Sequence, residues 1–295
     1  MQRVFFIRHG LSEANVLFYA GKVDQSRAIL DPALAPRGEE QARAVSTEPL
    51  LSAALAMPGD GDGGEAAQLL VVSPLRRTIQ TAHLAFEPWL AARAAAGAPV
   101  PIVLCPDIQE TGDVLGDTGR PVSEVRGELP NLGPAAPLPW DEVPERWCEK
   151  SGMYAHTGTA LAARFDRFCR WLARRPERNI IVVGHHNVFL GMLSVTFRNC
   201  EVREYSFDGE GRGGAEPLLM PLTCDLPAGT APAPTPPFVC EPSGKPAWTA
   251  LSPLVSTCDE EMSEEDREWV ANPTMLQHNV SKLELWGFPK PARWR

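Results

Sequence analysis

Short uninterrupted apolar runs alternate with stretches of helical period over the first two thirds of the chain. Residues 4–7, 69–72, 102–104 and 180–183 are runs of Val, Ile, Leu and Phe without polar breaks, the pattern of strands buried on both faces. Residues 201–207 alternate instead and predict an edge strand. Between them lie helix-like stretches at 12–20, 38–56, from Pro74 to about 90, 159–174 and 187–197. The fourth of these is amphipathic, with Leu161, Phe165, Phe168 and Leu172 on one face. Residue 38 onward ends in a Pro, Gly and Asp run at 57–64, and Pro74 stands where a first helical turn tolerates proline. Strands alternating with helices predict an α/β chain with a mainly parallel sheet covered on both faces.

That order locates the chemistry. In such sheets ligands bind beyond the carboxyl ends of the strands. Arg8-His9-Gly10 follows the first run, Ser73 to Arg77 the second, and Gly184-His185-His186-Asn187 the fourth. A further cluster, Glu110 to Arg120, follows the third after a few residues. All four are expected at one edge of the sheet.

The pattern fades after residue 208. Residues 209–247 contain Pro217, Pro221, Pro227, Pro232, Pro234, Pro236 and Pro237 and read as linker without core-forming period. Tryptophans return at Trp269, Trp286 and Trp294, with an acidic helical stretch at 263–270. The expectation is a catalytic domain over 1–208 and a Pro-rich C-terminal extension over 209–295 that packs back on it.

Composition narrows the partners. The net charge is -9 and the pI is about 5.3, which argues against nucleic acid or an anionic membrane surface. An anion would have to be met by a few arginines concentrated in one pocket. No run approaches the roughly 20 apolar residues of a membrane span, and the first apolar run is too short for a signal-peptide core. The seven cysteines are scattered without a CxxC pair, so neither a disulfide framework nor a zinc site is suggested. A cytoplasmic location is expected.

A histidine at a strand's end has a fixed backbone, so one ring nitrogen can be held while the other is aimed. A neutral imidazole nitrogen is a competent nucleophile toward phosphorus. The bland alternative for Arg8-His9 is a strand-end histidine beside a solvated arginine. Arg76 and Arg77 near a helix N-terminus, where backbone N–H groups also favour anions, would complete a phosphate cradle. His185 at another strand end could donate to a phosphoryl oxygen, or be a polar core or cap residue. Adjacent His185 and His186 raise a zinc reading, but no HExxH pattern or spaced carboxylate supports one, and no metal or cofactor is expected. Glu110, Asp107, Asp113 and Asp117 are rival carboxylates for proton transfer to the leaving group.

These clusters, in this order, resemble the histidine phosphatase superfamily, which includes cofactor-dependent phosphoglycerate mutases and many phosphatases. The matching residues are Arg8 to Asn15, Ala33-Leu34, Gly38, Gln41-Ala42, Ser73 to Arg77 with Thr78 and Gln80 to Ala82, Glu110, and Val183-Gly184-His185. The resemblance spans roughly residues 1–207. It implies a three-layer α/β/α sandwich of phosphoglycerate mutase-like fold, His9 as phosphorylated nucleophile, Arg8, Arg77 and His185 as the phosphate pocket, Asn15 as a supporting contact, and Glu110 as proton donor. It also implies that Arg76 serves solvent or substrate. The mutases follow their acidic residue with Arg-His-Tyr-Gly, whereas Thr111-Gly112-Asp113 follows Glu110 here, so the segment looks like a phosphatase-type branch. The expectation is a metal-independent phosphomonoester phosphatase acting on a small phosphorylated substrate. The alternatives are a phosphoglycerate mutase-type phosphotransferase and a non-catalytic binding protein.

Overall fold

A computed structural model describes residues 2–58, 66–129, 131, 136–193 and 195–208, together with the backbone of 247–250. Six strands form one sheet: β1 (Gln2–Arg8), β2 (Leu69–Val72), β3 (Ile102–Leu104), β4 (Asn179–Gly184), β5 (Val202–Asp208) and β6 (Ala247–Ala250). Their order is β3-β2-β4-β1-β5-β6. The first four run parallel to one another, whereas β5 is antiparallel to β1 and β6 antiparallel to β5. The four apolar runs of the sequence are these parallel strands.

Side chains alternate cleanly between the two faces of the sheet, as the strand period of two requires. Phe5, Ile7, Leu70, Val72, Ile181 and Val183 enter one core. There they meet Ala42 of α3 (Pro36–Ala44) and Ile79 and Phe86 of α4 (Arg76–Ala95). Val4, Phe6, Leu69, Val71, Ile180 and Val182 enter the other, against Leu161, Phe165, Phe168 and Leu172 of α6 (Gly158–Ala173) and Val188 and Phe189 of α7 (His186–Leu193). The result is three layers, with both sheet faces covered. Three shorter helices, α1 (Glu13–Tyr19), α2 (Val23–Arg27) and α5 (Val122–Val125), lie in the connections.

Several expectations change at this level. The stretch 38–56 is not one helix: α3 ends at Ala44 and two 3-10 turns follow, because Pro49 cannot donate into a continuing helix. Helix α4 begins at Arg76 with Leu75 as N-cap, so Pro74 lies ahead of it, and the helix runs on through Pro88 to Ala95. Helix α7 stops at Leu193, short of residue 197. β5 is not an edge strand, since β6 pairs along its outer side, with Asp208 opposite Ala247. The stretch 263–270 and the tryptophans at 269, 286 and 294 lie outside the described residues.

With β1 to β4 parallel, their carboxyl ends share one edge. β4 intervenes between β1 and β2, so the chain order reverses there and opens a crevice above the sheet.

Candidate active site

His9 leaves the end of β1 under close backbone control. Its N–H donates to the Gly184 carbonyl at 3.0 Å, and its own carbonyl accepts from Asn199 Nδ2 at 2.9 Å. The next two residues dock against α3. Leu11 N–H donates to Gln41 Oε1 (2.9 Å), and Ala35 N–H donates to the Leu11 carbonyl (2.9 Å). Gly10 N–H donates to Thr81 Oγ1 on α4 at 3.0 Å. Two glycines permit this approach: a Cβ on Gly10 would lie 2.4 Å from the Gly38 carbonyl oxygen, and one on Gly38 would lie 2.0 Å from that of Leu11. Gln80 Oε1 likewise accepts from Leu34 N–H at 2.8 Å.

The imidazole tautomer follows from its neighbours. His9 Nδ1 lies 2.7 Å from the Gly10 carbonyl, which can only accept, so Nδ1 carries the proton. The neutral ring then presents a lone pair at Nε2, which accepts from Arg77 Nε at 3.2 Å. Burial, then the charges of Arg77 and Arg8, push the His9 pKa well below the ordinary imidazole value. The group is a buried, neutral, oriented base at physiological pH.

Arg77 is anchored by Nη1 donation to the Gly116 carbonyl (2.9 Å) and lies 3.8 Å from Asp117 Oδ1. Arg8 donates Nη1 to the Phe197 carbonyl (2.8 Å) and Nη2 to Tyr19 Oη (3.3 Å), while its buried Nε has no partner. His185 is fully buried, with its ring centroid 5.2 Å from that of His9. Its Nε2 pairs with Ser73 Oγ at 2.8 Å and its buried Nδ1 has no partner. Burial and the charge of Arg77 push its pKa down as well. Each unmet buried nitrogen costs about 1–3 kcal/mol unless something meets it.

Asn15 is engaged in a capping box: Ser12 Oγ accepts from Asn15 N–H (3.1 Å) and Asn15 Oδ1 accepts from Ser12 N–H (3.2 Å). Glu110 is buried, and its Oε1 accepts from Thr111 N–H at 2.8 Å. One cavity of about 270 Å³ is lined by Arg8, His9, Asn15, Arg77 and Glu110. His185 is not among the residues that line it, although its ring lies beside that of His9. The structure thus brings all six candidate residues to one edge of the sheet.

One expected element is used differently. The Arg76 N–H at the α4 N-terminus is taken by Asp31 Oδ1 at 2.9 Å, so a carboxylate of the chain itself caps the helix there. Asp31 is buried, in the left-handed region at φ 45, and burial raises its pKa. Of the two arginines, Arg77 lines the cavity and Arg76 does not. Arg76 turns away and pairs with Glu128 at 3.1 Å.

His186 and Asn187, from the polar cluster after the fourth apolar run, line the cavity, as do His156 and Arg27, which carried no expectation. The Gln109–Glu110 segment is held by two cations. Lys150 Nζ donates to Gln109 Oε1 (2.9 Å) and to the Glu110 carbonyl (2.8 Å), and Arg164 Nη2 donates to the Gln109 carbonyl (2.9 Å). Burial lowers Lys150 to about 7. It lowers the fully buried Arg164 to about 10, which leaves a guanidinium charged at any neutral pH. Arg164 was detectable: it interrupts the apolar stripe of α6 between Leu161 and Phe168, where a solvated arginine would not be placed. Lys150 and His156 carried no such signal. Among the described residues no three His, Cys, Asp or Glu side chains gather to hold a metal ion, and no helix is long and apolar enough to cross a membrane.

Among solved structures, the chain is similar to the α-ribazole phosphatase of Shigella flexneri at 18% identity, covering 70% of this chain and 91% of that one, with a TM-score of 0.40. It is similar to a mycobacterial glucosyl-3-phosphoglycerate phosphatase at 18% identity, with coverage of 70% and 92% and a TM-score of 0.38. It is also similar to a phosphoserine phosphatase of Entamoeba histolytica at 18% identity, with coverage of 70% and 91% and a TM-score of 0.37. No curated protein matches the sequence. Residues 4–206 match the family model of the histidine phosphatase superfamily (branch 1), well over half of the chain, and the chain belongs to that superfamily.

Proposed function

We propose that the protein is a metal-independent phosphomonoester phosphatase working through a phosphohistidine on His9. The observation that carries this reading is the state of that imidazole. Nδ1–H is committed to the Gly10 carbonyl, and the Nε2 lone pair lies beside Arg77 in a cavity also lined by Arg8 and Glu110.

In the reaction, His9 Nε2 attacks phosphorus in line, and the N–P bond forms as the bond to the ester oxygen breaks. Arg77 turns its Nε–H from the lone pair to a phosphoryl oxygen. Arg8 Nε and a ring nitrogen of His185, both unmet within the protein, are donors suited to the other oxygens. Glu110 gives its proton to the leaving alkoxide and then takes one from the water that cleaves the N–P bond. The phosphoryl charge is met throughout by arginine and imidazole, a role that elsewhere falls to a metal ion. Asn15 supports the turn that carries His9 through its shared contact with Asn199.

Water is the favoured acceptor because Thr111-Gly112-Asp113 follows Glu110, in place of contacts that would retain a dephosphorylated acid for reattack. The test is release of inorganic phosphate from simple monoesters after dialysis against a strong chelator, beside isomerisation of 3-phosphoglycerate with catalytic 2,3-bisphosphoglycerate. Undiminished phosphate release with little isomerisation is expected. Turnover that returns only with added metal, or isomerisation outpacing release, contradicts the reading.

A further inference from the structure

Beyond the phosphate end, the cavity has a character of its own. Its charged lining is three arginines, Arg8, Arg27 and Arg77, against the carboxylates of Asp113 and Asp117, with Glu110 carrying the proton it gives to the leaving group. A site for a metabolite with a second phosphate or a carboxylate needs cations in excess of those that meet the first phosphoryl group. Here Arg8 and Arg77 meet that first group, Asp117 lies 3.8 Å from Arg77, and the exposed Arg27 shares the lining with the exposed Asp113. The uncharged lining pairs the polar Ser12, Asn15, Ser26 and Asn187 with an apolar group, Phe18, Tyr19, Pro32 and Val114, in which the Phe18 and Tyr19 rings meet edge-to-face at 5.9 Å. Tyr19 Oη accepts from Arg8, so this wall begins at the phosphate cradle itself.

The mouth continues the theme. Of five exposed large hydrophobic side chains among the described residues, four are Val16, Tyr19, Leu30 and Leu115. Tyr19 lines the cavity, and the other three lie on elements that contribute to it, α1, the turn after α2 and the 3-10 turn Leu115–Asp117, the last two joined by Asp31 N–H to the Leu115 carbonyl at 3.4 Å. Exposed apolar side chains on the elements that build a pocket favour binding of something apolar.

We propose that the substrate is the phosphomonoester of a bulky, largely apolar alcohol carrying no further negative charge. The inference rests on the phosphatase reading above. Its test compares kcat/KM of the full chain for 1-naphthyl phosphate, 3-phosphoglycerate and fructose 1,6-bisphosphate. The naphthyl ester is expected to lead by at least about tenfold, from apolar contact on one side and carboxylate repulsion on the other. Asp113→Lys should raise the ratio of 3-phosphoglycerate to naphthyl phosphate about tenfold, because it reverses one charge at the mouth. Phe18→Ala, at a half-exposed position, should lower the naphthyl ester by about tenfold and 3-phosphoglycerate by much less. An equal or reversed preference, or a ratio unmoved by Asp113→Lys, overturns the substrate class and leaves the phosphatase chemistry standing. A folded chain inactive on all three esters overturns the phosphatase reading and this inference with it.

Discussion

At the scale of single residues, the neutrality of His9 has a measurable consequence. Its folded pKa is lowered by burial and by Arg77 and Arg8, so the imidazole stays unprotonated below the ordinary value of 6.5. The acid limb of kcat/KM should therefore lie below the range of an ordinary histidine, and activity should be flat between about pH 6 and 7. Stability follows the same group: His9 and His185 must charge in the unfolded chain before they charge in the folded one. Both therefore destabilise the fold as pH drops from 6.5 toward their lowered values, and neither does above it. A pH–rate profile with its acid limb at or above the ordinary imidazole value would contradict this. Gly38 supplies a second residue-scale case. On propensity alone, glycine to alanine in a helix gains about 1 kcal/mol. Here the added Cβ would meet the Leu11 carbonyl oxygen at 2.0 Å, so Gly38→Ala should destabilise by about 2–3 kcal/mol in denaturant melts and disturb the His9 turn. A stabilised variant would contradict the close approach.

At the scale of elements, legibility followed the physics of burial. The four parallel strands were readable because strands buried on both faces are uninterrupted apolar runs, and β4, for one, is buried along its whole length. Their order along the chain was enough to bring Arg8, His9, Arg77 and His185 to one sheet edge. Helix ends were less readable: Pro49 ended the α3 pattern early, whereas Pro88 failed to end α4. The connection from residue 106 to 157 was not legible. Its described residues form 3-10 turns, the four-residue α5 and side-chain-to-backbone bonds such as Gln109 Nε2 to the Trp147 carbonyl at 2.9 Å, which leave no period in the sequence. Lys150 and His156 reach the site from that stretch. The choice of Glu110 over Asp107 came from the resemblance alone. In the structure Asp107 pairs with Arg167 at 2.7 Å, while Glu110 lines the cavity. The β5–β6 pairing yields a prediction of its own. Asp208, the last residue of β5, lies opposite Ala247, the first of β6. We propose that residues 1–208 and β6 form one folding unit. Replacing 209–246 with an Asn-Gly turn should then keep a cooperative thermal transition, since that turn matches the twist of an antiparallel pair. Loss of cooperative unfolding would show that the excised stretch is integral to the core.

At the scale of the whole molecule, an acidic chain holds its cationic chemistry in one place. The net charge is -9, yet Arg8 and Arg77 are buried together at the carboxyl edge of the sheet, with Lys150 and Arg164 behind Glu110. The parallel sheet makes this concentration possible, because four separate strand ends deliver side chains to a single crevice. Everything proposed for the molecule depends on what His9 Nε2 does there. The most direct measurement is rapid acid-free quenching of the full chain mixed with a radiolabelled phosphomonoester, followed by peptide mapping of the retained label. The account predicts acid-labile, base-stable phosphate on the peptide carrying His9, and no label with His9→Ala, whose turnover should fall by several orders of magnitude. Label on any other residue, or a His9→Ala protein that keeps more than a few per cent of the rate, would contradict it.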